Sequence, residues 1–241
     1  MQKKYLPNIK YFLRCSTNMK TLELIYVRFF ITLLYSFETF NFSFQNSNMP
    51  PQYYIELMGK FPNLTKLNVY GSMVDDTGFA QIGRNCSKLI ELNAGGTWLS
   101  NTGIRELSIA PTPVGECIMP GQAPNYRLPN IAIVDFTDTR VNAEGLSLFL
   151  VCHPKLVKMN HPETFHAFDL KKIQGDTSKV MLRHLATVEK YITPEEFEFA
   201  IESCPALESV IITSAGLTDE HLYRLRFCQN MYQFSLGLLD K

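Results

Sequence analysis

The sequence predicts an α/β fold in which strand–helix units stack side by side, so that their strands form a parallel sheet. One observation is an apolar pattern that recurs about every 25 residues. Another is that apolar residues in each unit alternate first with a period of two and then with helical spacing. The third is composition: 241 residues with 46% hydrophobic and 19% charged residues can bury a sizeable core.

The repeat is clearest in PNLTKLNVYGSMVDDTGFAQIG at 62–83 and SKLIELNAGGTWLSNTGIREL at 87–107, whose apolar positions differ by 25 throughout. The same spacing predicts eight unit starts. These are Thr39, Leu64, Leu89, Ile131, Leu156, Leu182, Leu207 and Met231, at intervals of 25, 25, 42, 25, 26, 25 and 24 residues. The unit that starts at Leu156 matches least well, because its second half lacks the apolar pattern.

Each unit begins with a short strand that buries one face, as Leu64, Leu67 and Val69 indicate. A turn rich in Gly, Ser, Thr and Asp follows and supplies a helix N-cap. The helix then places apolar residues at helical spacing, including Leu222 and Leu225 in the last full unit. Carboxylate pairs at helix starts, such as Asp75/Asp76 and Glu195/Glu196, favour the helix dipole and need no acid–base role.

Residues 1–38 are predicted to be an irregular or degenerate N-terminal repeat or cap, before a solenoid over 39–241. The apolar run Leu24–Phe37 contains Arg28 and is shorter than the roughly 20 residues that cross a membrane. A buried helix or strand is therefore favoured over a membrane span. An incorrectly joined gene model remains an alternative for residues 22–44.

One long interval reflects a Pro/Gly-rich insertion at 108–127, where no regular element is expected. Insertions in repeat arrays map to surface loops that often carry partner contacts. A loop that contacts a partner and a neutral flexible insertion both remain open for this segment.

Six cysteines in 241 residues are too sparse for a disulfide scaffold, and no CxxC pair occurs. A reducing compartment, the cytoplasm or the nucleus, is therefore expected. Cys86, Cys204 and Cys228 each lie three residues before the next unit, and Cys152 lies four before. This placement predicts small buried groups that close a helix end.

The boundary phrases FPNL (61–64), NCSKL (85–89), LPNI (128–131), CHPKL (152–156) and SCPAL (203–207) resemble those of leucine-rich repeat proteins, as do the turn phrases VDDTGF, LSNTGI, VNAEGL and LTDEHL. The resemblance is closest to the cysteine-containing subclass found in F-box/leucine-rich-repeat proteins. It implies a horseshoe of about eight units, with parallel strands on the concave face and helices on the convex face.

In that family the repeats bind substrate, and a separate F-box segment binds the Skp1 adaptor. The resemblance therefore implies a protein-interaction module that recognises substrates for an SCF-type ubiquitin ligase. Skp1 and cullin machinery are the partners that it implies. No clear F-box is present, since YLPNIKYFLRC at 5–15 fits a repeat boundary better. The alternatives are a scaffold or adaptor outside any ligase, and the repeat part of a ZYG-11-type receptor of cullin-2 ligases.

The candidate partner-binding residues are the strand residues that lie between the buried positions. Several are asparagines, whose amides both donate and accept hydrogen bonds, and apolar residues beside them could serve as an anchor. The candidates are Lys66, Asn68, Tyr70, Glu91, Asn93, Asp135, Lys158, Asn160, His184, Ser209 and Ile211, with Trp98 in a turn. The row turns apolar near Ala186, Val188 and Ile211. An ordinary solvated sheet surface is the alternative, as is packing of Trp98 on the adjacent unit.

Other functional classes find little support. Lysine plus arginine equals aspartate plus glutamate at 23 each, which disfavours a nucleic-acid surface. No catalytic or phosphate-binding motif occurs, so neither an enzyme nor a cofactor is expected. Cys152, His161 and His166 do not have the spacing of a recurrent metal site.

Overall fold

The computed structural model describes residues 21–25, 39–43, 62–110, 126–173, 179–188, 192–214 and 218–237. Within them, one parallel sheet contains nine strands in chain order. The strands are β1 Thr21–Ile25, β2 Thr39–Ser43, β3 Lys66–Asn68, β4 Glu91–Asn93, β5 Ile133–Asp135, β6 Lys158–Asn160, β7 His184–Val188, β8 Ser209–Thr213 and β9 Gln233–Gly237.

Helices alternate with the last seven of these strands. They are α1 Asp76–Asn85, α2 Asn101–Ser108, α3 Ala143–Cys152, α4 Thr164–Ile173, α5 Pro194–Ser203 and α6 Asp219–Arg224, with a 3-10 turn at Leu225–Phe227. Each helix packs against the next one along the chain. The predicted α/β class, with parallel strands that alternate with helices in a repeat arrangement, is confirmed. None of the described helices is long and apolar enough to cross a membrane.

The strands pair in the register that the repeat predicts from β3 onward. Leu67 lies opposite Leu92, and Leu92 opposite Val134, so the 25-residue and 42-residue intervals both return the chain to the same row. The prediction is wrong at the first unit. The repeat predicts Thr39 at the position equivalent to Leu64, but Thr39 pairs with Lys66, two residues further along. A shift of two residues keeps every side chain on its face, so alternation alone could not fix this frame.

The second residue of each strand from β3 to β8 is buried on the side of the sheet that carries the helices, and this side is called the packed face below. Leu67, Val134 and Val210 are at most 2% exposed. They share one apolar core with helical side chains such as Phe79 and Phe149, as the periodicity predicts. Because each helix covers the sheet only beside its own strand, neighbouring units must stack to complete this core.

Side chains at the helix starts tie consecutive units together. Each of Asp75, Ser100, Asn142 and Thr193 caps its own helix by accepting a backbone N–H. Asp76 also reaches the next unit, accepting hydrogen bonds from the backbone N–H of Ser100 at 2.8 Å and its Oγ at 2.5 Å. A Cβ atom on Gly103 would overlap the Asp76 carboxylate, so the glycine of the turn phrase leaves room for this link.

The helix ends confirm the structural role predicted for two cysteines. Cys86 and Cys204 are the C-cap residues of α1 and α5 and are buried. Burial raises the pKa of the Cys86 thiol from 9.0 to about 12, so it stays protonated at neutral pH. At the end of α3 the C-cap is His153. Cys152, for which the pattern predicts the same role, is the last residue of the helix. Burial lowers the pKa of His153 from 6.5 to about 4, so the imidazole is neutral.

The weakly matching unit at Leu156 does contain a helix, but the helix begins earlier. Helix α4 starts at Thr164, eight residues after Leu156, whereas α3 starts twelve residues after Ile131. This offset of about one helical turn moves the buried residues, which include Phe165 and Phe168, out of the expected frame.

The last helix corrects a predicted core position. Leu222 is 39% exposed, and His221 is buried in its stead. The Nδ1 atom of His221 accepts the backbone N–H of Thr218 at 3.1 Å, and its Nε2 atom bonds the carbonyl of Ile192 at 2.7 Å. Because the imidazole satisfies two otherwise orphaned backbone groups, it turns inward and leucine turns out.

The predicted insertion begins later than expected, because Ser108 is the last residue of α2. Its base is closed by an antiparallel bridge between Ile109 and Tyr126. The Pro/Gly-rich residues 111–125 lie outside the described residues, as do residues 26–38 of the apolar N-terminal run.

Candidate functional site

The side of the sheet opposite the helices is called the open face here. The first and third residues of each strand lie on it in two rows that follow the strand register. The first row is Lys66, Glu91, Ile133, Lys158, His184, Ser209 and Gln233. The second row is Asn68, Asn93, Asp135, Asn160, Ala186, Ile211 and Ser235. Ten of the eleven strand residues singled out from the sequence are at least partly exposed.

Ser209 is the exception, and its prediction as an accessible binding residue is wrong. It is only 5% exposed, and its Oγ donates a hydrogen bond to Oε1 of Gln233 at 3.1 Å. The neighbouring strand β9 covers this small side chain, so alternation placed it on the correct face but could not report its burial.

Three polar residues of the second row hold the turns that follow their own strands. The Oδ1 atoms of Asn68, Asn93 and Asp135 accept the backbone N–H two residues further on, at 2.9, 3.1 and 3.0 Å. This is the Asx turn, in which a side-chain oxygen replaces a backbone carbonyl. Because the N–H requires an oxygen, it also fixes the orientation of the two amides, whose Nδ2 groups find no hydrogen-bond partner among the described residues.

Asp135 is the most heavily engaged residue of the face. Besides the backbone N–H of Thr137, it accepts the Thr137 hydroxyl at 2.6 Å on Oδ1 and Nδ2 of Asn160 at 3.2 Å on Oδ2. The Oδ1 atom of Asn160 is buried and has no partner within the described part of the chain. The accessible acceptors in this region are therefore largely occupied.

The formal charges of the polar strands cancel. Lys66 and Glu91 form an ion pair with 2.5 Å between Nζ and Oε1. Lys158 lies one strand beyond Ile133 in the same row and has no ion pair among the described residues. Within the described part of this face, its ammonium group is thus a cation that is left to meet a partner.

Two adjacent depressions cover much of the open face and share Asn160. The polar depression, about 330 Å³, is lined by residues of β3–β6, including Asn68, Asn93, Asp135 and Lys158. The apolar depression, about 590 Å³, is lined by Pro162, Ala186, Val188, Ile211 and Thr213 together with neighbouring polar groups. Val188 is 51% and Ile211 40% exposed. Alternation placed Ala186 and Val188 on this face, but the depression that they line forms only when neighbouring strands lie in register.

Two aromatic residues, Tyr70 and Trp98, follow the polar strands β3 and β4 along the chain. Trp98 is 44% exposed, and the guanidinium of Arg140 from the next unit lies 5.5 Å from its ring centre. This distance is within cation–π range. Trp98 therefore contacts the adjacent unit and still offers surface. The ring of Tyr70 lies beside Gly95, where a Cβ atom would come within 2.9 Å of it.

The histidines offer no metal site in the described ranges, where no group of three or more His, Cys, Asp or Glu side chains could hold an ion. His161 is buried, and burial lowers its pKa. Its Nδ1 accepts the backbone N–H of Glu163 at 3.0 Å, so it holds a turn, as the asparagines do. Hydrogen bonding and apolar contact are the chemistry that the open face presents.

No protein-family model matches the chain, and no curated protein matches it at significant similarity.

Proposed function

We propose that the chain is a leucine-rich repeat protein of the cysteine-containing subclass and that its open face, the concave face of the horseshoe, binds a protein partner. The observation that carries this proposal is the pair of adjacent depressions, one polar and one apolar, on a face that none of the described helices covers. Specific protein interfaces combine an apolar anchor with surrounding hydrogen-bonding groups in this way.

The repeat assignment is supported by three independent regularities. Strand pairs follow the predicted intervals from Leu64 onward. Buried strand positions recur from Leu67 to Val210, and Cys86 and Cys204 occupy the helix ends where the subclass places cysteine. A parallel sheet with strands in chain order is what such a repeat requires.

The narrower proposal is recognition of substrates for an SCF-type ubiquitin ligase in the cytoplasm or nucleus, and it rests on the resemblance of the repeats. The same face would equally serve an adaptor outside any ligase or the repeat part of a ZYG-11-type receptor. Pull-down of the full chain with purified Skp1 and with elongin C distinguishes these forms. Capture of Skp1 supports the SCF form, capture of elongin C the cullin-2 form, and capture of neither leaves the adaptor.

Proximity labelling in cells of origin tests the interaction itself. Wild type is compared with a double variant on the open face, Val188→Asp with Ile211→Asp, and with a control variant on α6, Tyr223→Asp. All three positions are exposed, so the fold should persist. Loss of specific labelling in the open-face variant alone supports the proposal. An identical labelling profile in all three proteins would remove it.

A further inference from the structure

We infer that the open face binds an extended protein segment that places an aliphatic side chain in the apolar depression and directs carbonyl or carboxylate oxygens toward hydrogen-bond donors beside it. This inference rests on the proposed function and specifies the chemistry of the partner. It follows from an imbalance between donors and acceptors that the Asx turns create.

The polar depression exposes donors and engages acceptors. Asn68 and Asn93 each use Oδ1 on a backbone N–H of their own turn, which leaves the two Nδ2 groups for a partner. Lys158 adds an ammonium group, which can only donate. An incoming group that accepts hydrogen bonds therefore matches three side chains of this depression.

The carboxylates on the same strands are already engaged. Glu91 is paired with Lys66, and Asp135 accepts bonds from Thr137 and Asn160. A basic segment would have to displace these partners, and it would also bring its positive charge close to the ammonium group of Lys158, which costs binding free energy. An acidic or carbonyl-rich segment meets Lys158 without that cost.

The donors also favour an extended segment over a helix. Helical carbonyls are bonded within the helix, whereas an extended chain keeps its carbonyls available for side-chain amides. The apolar part of this depression is formed by Pro162, Ala186, Val188 and Ile211, which suit a branched aliphatic side chain. Its remaining lining is polar and consists of Thr137, Asp138, Asn160, His161, Thr187 and Thr213.

The spacing of the strands sets the spacing in the partner. Neighbouring strands lie about 4.8 Å apart. Lys158 on β6 is one strand from Ala186 and two from Ile211, and both lie two residues further along their strands than Lys158, so roughly 8–12 Å separates the backbone of Lys158 from these positions. An extended chain advances about 3.3 Å per residue and directs alternate side chains to one side, so the acidic and aliphatic residues should be about two or four positions apart.

Panning a random dodecamer phage library on the full wild-type chain tests the inference. We expect enrichment of peptides with Ile, Leu or Val about two or four positions from Asp or Glu. Fluorescence anisotropy with one enriched peptide should show about tenfold weaker binding to Ile211→Asp and to Lys158→Glu, the loss typical of an interface hot spot. Tyr223→Asp, the control on α6, should bind like wild type.

Two further comparisons sharpen the result. Replacing the acidic residue of the peptide by lysine should abolish binding to wild type and restore it to Lys158→Glu. Asn93→Asp keeps the acceptor for the Gly95 N–H but loses the outward donor, so binding should weaken severalfold while the thermal unfolding midpoint stays near that of wild type.

The outcomes separate this inference from the proposed function. Enrichment of basic peptides, or of none, overturns the inference, and proximity labelling still decides whether the face binds a protein. Peptides that bind through Ile211 without regard to Lys158 or Asn93 also overturn it but leave the proposed function standing. Peptide binding that no open-face variant changes contradicts both.

Discussion

Each strand of the sheet places neighbouring residues in two different environments. Leu67 on the packed face is buried in the core, whereas Asn68 on the open face holds a turn and reaches solvent. The packed face repeats one kind of residue from unit to unit because each unit must fill the same space. The open face changes from polar to apolar along the sheet, so its composition is set by something other than the repeat.

The open face itself divides into two halves. In β3–β5 the third residue of each strand bonds the backbone of its own turn, and so contributes to folding as well as to any interface. In β7 and β8 that place belongs to Ala186 and Ile211, whose side chains cannot make such bonds. Neighbouring exposed apolar residues without a structural task are what the proposed partner-binding surface would require.

The largest expected effect comes from comparing a buried residue with an open-face residue in one short segment, 133–136. Phe136 is fully buried, with its ring centre 5.1 Å from that of Phe149. Phe136→Ala should lower the free energy of unfolding by about 3–5 kcal/mol, since it leaves a cavity in the core. Ile133→Ala, on the open face of β5, should cost less than about 1 kcal/mol. Urea unfolding followed by circular dichroism measures both, and equal losses would contradict the assignment of faces.

His153 tests the packed side through pH. Its pKa is lowered from 6.5 to about 4, so between these values the unfolded chain takes up a proton that the folded chain refuses. Its contribution to stability is complete above pH 6.5 and declines as pH falls toward 4, by up to about 3 kcal/mol. His153→Leu, which copies Leu128 at the equivalent boundary, should remove this part of the acid dependence. The free energy of unfolding of wild type and variant is measured by urea unfolding at pH 7, 6, 5 and 4. If it falls equally steeply with pH in both proteins, the folded protein also protonates His153.

Asp135 should behave as an open-face residue with a cost to folding. Asp135→Ala removes the acceptor of Thr137 and Asn160 and should lower the free energy of unfolding by about 2 kcal/mol. Asp135→Asn keeps one oxygen for Thr137, so we expect roughly half that loss. Equilibrium unfolding in urea distinguishes the two, and an undisturbed Asp135→Ala would mean that the Asx turn contributes nothing.

The smallest expected effect lies in the apolar half. Ile211→Thr should change the free energy of unfolding by no more than about 0.5 kcal/mol, because the side chain is 40% exposed and β-branching is retained. Differential scanning calorimetry can resolve the change, with Ile212→Thr as the buried neighbour for comparison. A loss at Ile211 as large as that at Ile212 would indicate that the open face is part of the core.

Much of the fold could be predicted because the buried positions repeat at a near-constant interval. Leu67, Leu92 and Val134 were placed correctly for that reason. Where the prediction is wrong, a local interaction replaces the periodic one: His221 turns inward because its two ring nitrogens bond Thr218 and Ile192. Helix α4 differs because its start is displaced by about one turn, which an apolar pattern cannot distinguish from a missing helix.

The sequence by itself determined the parallel repeat, the face on which each strand residue lies and the residues that cap the helices, because these depend on periods of two and 3.6 residues along one chain. Only the tertiary structure decided which polar atoms remain available. The Gly95 N–H that engages Oδ1 of Asn93 is local, but the Asn160 amide that engages Asp135 comes from the neighbouring strand, 25 residues along the chain. Whether a polar atom is engaged depends on where its partner lies in space. The spacing of residues along the chain does not specify that position.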